Sequence, residues 1–120
     1  MERPGELDLA LVGQAVSALR RGRGPDLHPT AAAARAEDGT VTAALGLKDF
    51  ACAEAAVVAA VLASGRHPMT LATVRHVSAD ATRVIAPCPS CRAMLQRHAP
   101  GVRVVHLAEG LRVTPADALP

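Results

Sequence analysis

All three cysteines of this 120-residue chain lie in two short motifs, and these motifs restrict its possible folds more than any other feature. The first motif, residues 52–54, reads Cys-Ala-Glu, and the second, residues 87–91, reads Pro-Cys-Pro-Ser-Cys. Each motif is predicted to stand at the start of a helix. Thiolates are good zinc ligands, and a catalytic zinc uses three protein ligands with a fourth position open for water. The sequence therefore predicts a fold that brings Cys52, Cys88 and Cys91 together around one Zn²⁺ ion.

Glu54 follows Cys52 by two residues, which places it close to the predicted metal but not among its ligands. The helix predicted over residues 52–64 is otherwise apolar and is expected to be buried. A buried carboxylate needs a partner or a proton, and a water on the metal offers both. Glu54 is therefore predicted to be the catalytic group that moves protons to and from this water. The alternative is a carboxylate that only stabilises the start of the helix.

The cysteines have two further interpretations. The Cys-x-x-Cys spacing of residues 88–91 is also typical of thioredoxin-like redox sites, but this interpretation gives Cys52 and Glu54 no role. A structural zinc site is the other possibility, and such sites normally have four ligands. Four histidines are candidates for a fourth ligand, although none stands at the usual short spacing from a cysteine: His67, His76, His98 and His106.

Hydrophobic patterns predict the elements around the motifs. An amphipathic helix is predicted over residues 6–21, followed by a loop over residues 22–26. Its buried face is predicted to consist of Leu7, Leu11, Ala15, Ala18 and Leu19. Strands are predicted over residues 30–36, 41–45, 69–77, 83–86 and 102–107, and further helices over residues 52–64 and 90–98, with a last helical turn over residues 114–119.

This order of elements predicts an α/β fold in which helices cover both faces of one mixed five-stranded sheet. Asp38-Gly39 between the first two strands is a strong signal for a β-hairpin. A chain of 120 residues is long enough for one hydrophobic core, so a single domain is expected over residues 1–120.

Composition narrows the possible partners. Half of the residues are hydrophobic, mostly small, and Phe50 is the only aromatic side chain. Small side chains bury little area each, so association into a homo-oligomer is expected to add burial. The formal charge of +2 and the lack of aromatic residues argue against nucleic-acid binding and favour a small-molecule substrate.

The sequence also favours a cytoplasmic location. Residues 1–6 lack the basic-then-apolar order of a secretory signal, and no apolar run approaches the length of a membrane span. An odd number of cysteines argues against a disulfide framework and for a reducing compartment.

Taken together, the two motifs resemble the zinc-site signature of the cytidine deaminase superfamily, in the version with cysteine as the first ligand. The resemblance runs from about residue 7 to the C-terminus and is specific at the two motifs. It implies a three-layer α/β/α fold, zinc bound by the three cysteines, and a dimer or tetramer. It further implies hydrolytic deamination of a cytosine-like base, with Glu54 carrying the protons and ammonia released.

The resemblance also suggests contacts to the substrate. The backbone amide of Ala53 would contact the pyrimidine carbonyl, and the backbone carbonyl of Ala86 would receive the departing amine. Arg92, directly after the last cysteine, is expected either to donate a hydrogen bond to a thiolate sulfur or to be an exposed helix residue.

The chain departs from the family before and after the first motif. The loop in which cytidine deaminases carry a ribose-binding Asn-x-Glu pair reads Leu-Gly-Leu-Lys-Asp over residues 45–49. Ala55 replaces the arginine that is common after the first motif, as an apolar residue does in blasticidin S deaminase, and Pro89 replaces a usual glycine.

Three functions therefore stay open. The first is deamination of cytidine, deoxycytidine or a related aminopyrimidine. The second is deamination of a specialised substrate, such as a blasticidin S-like nucleoside or another amino-heterocycle. The third is a non-catalytic zinc-binding module, which would have no use for Glu54.

Overall fold

A run of four alanines, residues 31–34, forms the interior of a β-strand, although alanine favours helices. The computed structural model describes residues 2–22, 24, 27–78 and 80–120, without the side chain of His28; residues 23, 25 and 26 of the predicted loop lie outside it. Strand β1 (Leu27–Ala36) pairs antiparallel with β2 (Val41–Leu47) on one side and with β3 (Pro68–Ser78) on the other. All four alanines are fully buried, so packing on both faces outweighs their helical preference.

The predicted hairpin joins β1 to β2. Gly39 has a φ of 88°, a backbone conformation that glycine adopts without strain. The turn is closed by the backbone amide of Ala36, which donates to the carbonyl of Thr40 at 2.9 Å. The Asp-Gly signal is therefore confirmed.

Strand β3 is the centre of the sheet. One of its edges pairs with β1, and the other pairs with two strands placed one after the other along its length. These are β4 (Ala81–Ile85), which runs antiparallel to β3, and β5 (Arg103–Leu107), which runs parallel to it. Strand β6 (Leu111–Pro115) then pairs antiparallel with β5 at the far edge. The sheet is mixed, as predicted.

Helices cover both faces of this sheet. Helix α1 (Glu6–Arg21) packs on one face against alternate residues of β1, β3, β5 and β6. Helices α2 (Ala53–Ala63) and α3 (Pro89–His98) pack on the opposite face, together with a 3₁₀ turn (Ala116–Ala118). The predicted three-layer α/β/α fold is confirmed. Among the described residues, no helix combines the length and apolar character that a membrane crossing requires.

The sheet has one strand more than the five predicted. The missed strand is β6, which includes part of the segment that was predicted to be a last helical turn. Its hairpin with β5 turns at Glu109 and Gly110, which both have positive φ angles, 54° and 95°. The connection consists of three residues, 108–110, and a glycine in such a short connection is the hairpin signal that the prediction overlooked.

Two predicted buried faces are wrong in part. Leu7 is 65% exposed, and the neighbouring Asp8 is 5% exposed instead, because its carboxylate is bound by the guanidinium of Arg103. Helix α2 was expected to be buried on all sides, but it has an exposed face. That face consists of Ala59, Ala60 and Ala63.

Candidate metal centre and active site

Two of the three cysteines are the N-cap residues of helices. Cys52 precedes α2 and Cys88 precedes α3, each with an extended backbone (φ −69° and ψ 151°; φ −68° and ψ 166°). Pro89 then opens α3 at the position where a helix has no use for a backbone N–H. An N-cap side chain lies beside the free N–H groups of the first helical turn. Both sulfurs are therefore placed at the positive ends of helix dipoles.

The fold brings all three predicted ligands together. The Sγ atoms of Cys52, Cys88 and Cys91 all lie within 4.8 Å of one another, and Cys91 is contributed by the first turn of α3. A tetrahedral zinc with Zn–S bonds of about 2.3 Å needs sulfurs about 3.8 Å apart, so the cluster fits such an ion with shifts of about 1 Å or less. Among the described residues, this is the one group of three metal-binding side chains that forms a cluster. Residues 52, 88 and 91 could therefore hold a metal ion.

The two cysteines of the second motif, Cys88 and Cys91, differ in environment. A hydrogen bond from the backbone of Cys91 lowers the pKa of Cys88, which is exposed. Burial raises the pKa of Cys91, and the negative charge of Glu54 raises it further. A bound metal cation favours the thiolate form of Cys91 and so opposes the rise in pKa that burial and Glu54 cause. The buried sulfur at Cys91 is thus the position at which a bound cation would change protonation most.

Glu54 is buried in the first turn of α2, with 5% of its surface exposed. Glu54 also lines a cavity of about 460 Å³. Two residues of the cysteine cluster, Cys52 and Cys88, line the same cavity. A volume of this size is typical of a small-molecule site. The remaining lining residues come from β1, the loop after β2, β3 and the end of β4: Thr30, Leu47, Asp49, Phe50, Ala51, Arg75, Ile85 and Ala86.

The loop between β2 and α2 is held closed by backbone hydrogen bonds. The amide of Leu47 donates to the carbonyl of Ala51 at 2.9 Å, and the amide of Ala51 donates to the carbonyl of Leu47 at 3.1 Å. This tight closure puts Asp49 at a φ of 65° and leaves Phe50 90% exposed at the mouth of the cavity. The loop thus presents Asp49 to the cavity.

Arg92 fixes the start of α3. Its Nε donates to the carbonyl of Pro87 at 3.0 Å, and its Nη1 donates to the main-chain oxygen of Pro120 at 2.8 Å. The Arg92 guanidinium therefore connects Pro87, the first residue of the second motif, to Pro120. The hydrogen bond from Arg92 to a thiolate sulfur stays a prediction.

The structure adds residues that the sequence patterns did not indicate. Ala86, predicted to contact the substrate, lines the cavity, and Ala53 is fully buried between two lining residues. Thr30 and Arg75 were not predicted to contribute. They stand opposite each other in the β1–β3 ladder, which places both side chains on the face that carries the cavity. Arg75 is a charged residue in an otherwise largely apolar strand, and this charge was the sequence signal that it could contribute to a site.

Solved structures of known proteins resemble this one, although its sequence has no match. The sequence matches no protein-family model and no curated protein sequence. The structure is similar to the crystal structure of cytidine deaminase from Mycobacterium leprae, with a TM-score of 0.72, 22% sequence identity, and 98% of this chain and 99% of that chain covered. It is also similar to cytidine deaminase from Burkholderia pseudomallei (TM-score 0.69, 27% identity, 93% and 95% covered). For cytidine deaminase from Bacillus anthracis, the TM-score is 0.73 at 18% identity, with 91% and 83% covered.

These likenesses extend over almost the whole chain and define the class of fold, a mixed sheet between two helical layers with a cysteine cluster at two helix starts. The shared fold supports the cytidine deaminase superfamily, which the two motifs predicted.

Proposed function

We propose that this protein is a zinc-dependent hydrolytic deaminase of a cytidine- or deoxycytidine-like nucleoside or a related aminopyrimidine. The observation that carries the proposal is the shared cavity wall, on which Glu54 lies beside Cys52 and Cys88 of the three-sulfur cluster. A hydrolytic deaminase needs a site for a cation and a proton carrier on the same small cavity. A redox pair would need neither Glu54 nor Cys52.

The roles follow from where the side chains stand. Cys52, Cys88 and Cys91 would hold the zinc ion and leave one position open toward the cavity. Bound zinc supplies the Lewis acidity that lowers the pKa of a coordinated water. Glu54 would accept a proton from the attacking water, deliver it to the ring nitrogen and then assist departure of the amine as ammonia. Its burial in an apolar helix keeps bulk water from competing for that proton.

Two backbone groups would orient the base. The N–H of Ala53 is in the first turn of α2, where amides have no acceptor within the helix, so it can bind a pyrimidine carbonyl. Ala86 follows the last residue of β4 and lines the cavity, where its carbonyl would accept a hydrogen bond from the departing amine. Arg92, which fixes the start of α3, would keep Cys88 and Cys91 in register.

The test combines metal analysis with a panel assay for ammonia release. We expect about one zinc per chain in the wild-type protein and in Glu54→Ala. Turnover of an aminopyrimidine nucleoside is expected only in the wild type, with a loss of at least about 10²-fold in Glu54→Ala. Glu6→Ala is the matched control, because Glu6 is also a carboxylate in a first helical turn but is exposed on α1. Ammonia release that survives in Glu54→Ala would reject the proton-carrier role.

A second candidate is deamination of a specialised substrate, such as a blasticidin S-like nucleoside or another amino-heterocycle. It is favoured by the loop at residues 47–51, which presents Asp49 rather than an Asn-x-Glu pair to the cavity. Activity in the panel on cytidine or deoxycytidine supports the first candidate, and activity only on other substrates supports the second. Zinc without any turnover supports a non-catalytic module.

We further propose one domain over residues 1–120, assembly into a homo-oligomer and a cytoplasmic location. The alanine face of α2 and the 90% exposed Phe50 are apolar surfaces that a second copy could cover. The cytoplasmic proposal is supported by three free cysteines, two of them exposed, because such thiols persist in a reducing compartment. Sedimentation analysis of the purified protein tests the assembly.

A further inference from the structure

Arg75 and Arg83 stand directly opposite each other in the antiparallel ladder of β3 and β4. Side chains at such positions project from the same face of the sheet, with their Cβ atoms about 5 Å apart. Like charges in this arrangement repel each other and destabilise the pair of strands. A pair of this kind therefore needs an explanation.

Neither guanidinium has an ion pair with a carboxylate within the described residues, in contrast to two other arginines of the chain. Arg103, also on the sheet, binds Asp8 and Glu2, and Arg66 binds Asp38 at 2.6 Å. The fold thus supplies acidic partners at Arg66 and Arg103. At Arg75 and Arg83 it supplies a second positive charge instead.

The pair lies beside the candidate active site. Arg75 lines the cavity that contains Glu54, and it also lines a second cavity of about 560 Å³ together with Arg83. The two cavities share three lining residues, Arg75, Ile85 and Ala86, so they adjoin along the end of β4. A ligand that is seated at Glu54 can therefore extend past Ala86 toward Arg83.

Charge is divided between the two cavities. The acidic side chains Asp49 and Glu54 line only the first cavity. The second is lined by both arginines and His76, with no acidic residue among its described lining. This separation suits a substrate that has a neutral ring at one end and an anionic group at the other.

We propose that the substrate carries a phosphate or carboxylate group, which Arg75 and Arg83 bind while the amino-heterocycle lies against Glu54. Two guanidinium groups match both anions, because each can donate parallel hydrogen bonds to two oxygens. The substrate would then be an aminopyrimidine nucleotide, or an acid derivative of such a nucleoside, rather than a neutral nucleoside. The inference rests on the proposed deaminase function.

The experiment compares three substrates in the zinc-loaded full-length protein: cytidine, cytidine 5′-monophosphate, and a cytidine analogue with a carboxylate at the 5′ carbon. We expect kcat/KM for one of the anionic substrates to exceed that for cytidine by at least about 10-fold. The better of the two identifies the anion as phosphate or carboxylate. Equal or higher kcat/KM for cytidine would overturn the inference.

Variants then assign the preference to the two arginines. Arg75→Met and Arg83→Met should each lower the preference for the anionic substrate over cytidine by about 10- to 100-fold, which is the range for a hydrogen bond to a charged group. The loss should be mainly in KM, and Arg75→Lys should recover part of it. Arg97→Met is the control, since Arg97 is exposed on α3 away from both cavities. A preference that is the same in wild type, Arg75→Met and Arg83→Met would contradict the assignment.

Calorimetric titration with the same compounds separates this inference from the proposed function. Ammonia release from cytidine with no anionic preference leaves the deaminase proposal intact and rejects the anion site. Tighter binding of the anionic compound that is weakened in Arg75→Met, without ammonia release from any compound, supports the anion site and rejects the deaminase. Binding to the anion site should also weaken as salt is raised, because ions screen partly exposed charges.

Discussion

Cys52 and Cys88 occupy the same structural position, the N-cap residue, in two different helices, and their sulfur atoms lie within 4.8 Å of each other. Three thiolates around a Zn²⁺ ion sum to a charge of −1. The two helix N-termini that meet at these residues carry about half a positive charge each, which offsets that charge. The packing of α2 and α3 on one face of the sheet therefore brings the three sulfurs together and would also compensate the charge of a bound zinc site.

The first prediction concerns metal binding. Replacing one sulfur, in Cys91→Ser, should reduce zinc from about one ion per chain to well below that and lower the thermal midpoint, because metal binding stabilises the folded state that contains the site. Removing zinc from the wild type with a chelator should lower the midpoint similarly. Metal analysis and a thermal melt measure the two effects.

Cys52→Ser provides a second variant in case the buried position 91 does not tolerate the change, since Cys52 is exposed. Ser90→Ala is the matched control because Ser90 lies in the same motif, is exposed and offers no sulfur. Zinc content near one per chain in both cysteine variants would show that the cluster is not the metal site.

The cluster of Cys52, Cys88 and Cys91 was predictable from sequence because each of its two motifs is local. Residues 52–54 and 87–91 each combine a predicted metal ligand with the start of a helix. At such a position cysteine can bind a metal, glutamate can carry protons, and proline suits the first helical turn. The strands flanking these motifs were predictable for a related reason. Apolar runs ended by Asp38-Gly39 or by Pro87 leave few alternatives to a strand.

Two features that the sequence patterns missed depend on contacts between distant residues. Leu7 fits the apolar face of α1 by periodicity, but Arg103 is 95 residues away from Asp8 in sequence, and its bidentate pairing turns Asp8 inward instead. Arg75 is an ordinary strand residue until the register places it opposite Arg83 and beside the Glu54 cavity. Neither the contact of Asp8 with Arg103 nor the position of Arg75 opposite Arg83 can be predicted from a spacing in the sequence.

The second prediction concerns the pH dependence that Asp8 contributes to stability. Burial of Asp8 tends to raise its pKa, but the hydrogen bond from the amide of Gly5 at 2.9 Å and the pairing with Arg103 outweigh burial, and the pKa is lowered. A lowered pKa stabilises the fold above the unfolded value of about 4, and this contribution is lost as pH falls below it. Asp8→Asn should therefore reduce the free energy of unfolding by about 1–3 kcal/mol at pH 7.

Urea unfolding of both proteins at pH 7 and at about pH 3 measures this contribution. The difference between wild type and Asp8→Asn should shrink at the lower pH, because unfolded Asp8 takes up protons there more readily than folded Asp8, which lowers the free energy of unfolding of the wild type alone. Any loss of metal at low pH affects both proteins alike. Asp117→Asn, an exposed carboxylate in the 3₁₀ turn, should behave as wild type at both values. A difference that grows toward pH 3 would mean that the pKa of Asp8 is raised.

The last prediction uses two glycines for which the same substitution has opposite effects. Gly65 follows α2 at a φ of 81°, and its amide donates to the carbonyl of Leu62 while that of Arg66 donates to Val61, which is the Schellman arrangement of a helix end. Gly65→Ala should cost about 1–2 kcal/mol, because an L side chain is strained at positive φ. Gly13 lies on the exposed side of α1, where an added Cβ meets no atom within 4 Å. Gly13→Ala should therefore stabilise by about 0.5–1 kcal/mol. Since both variants add one methyl group, urea unfolding that moves in the same direction for both would contradict the assigned helix end.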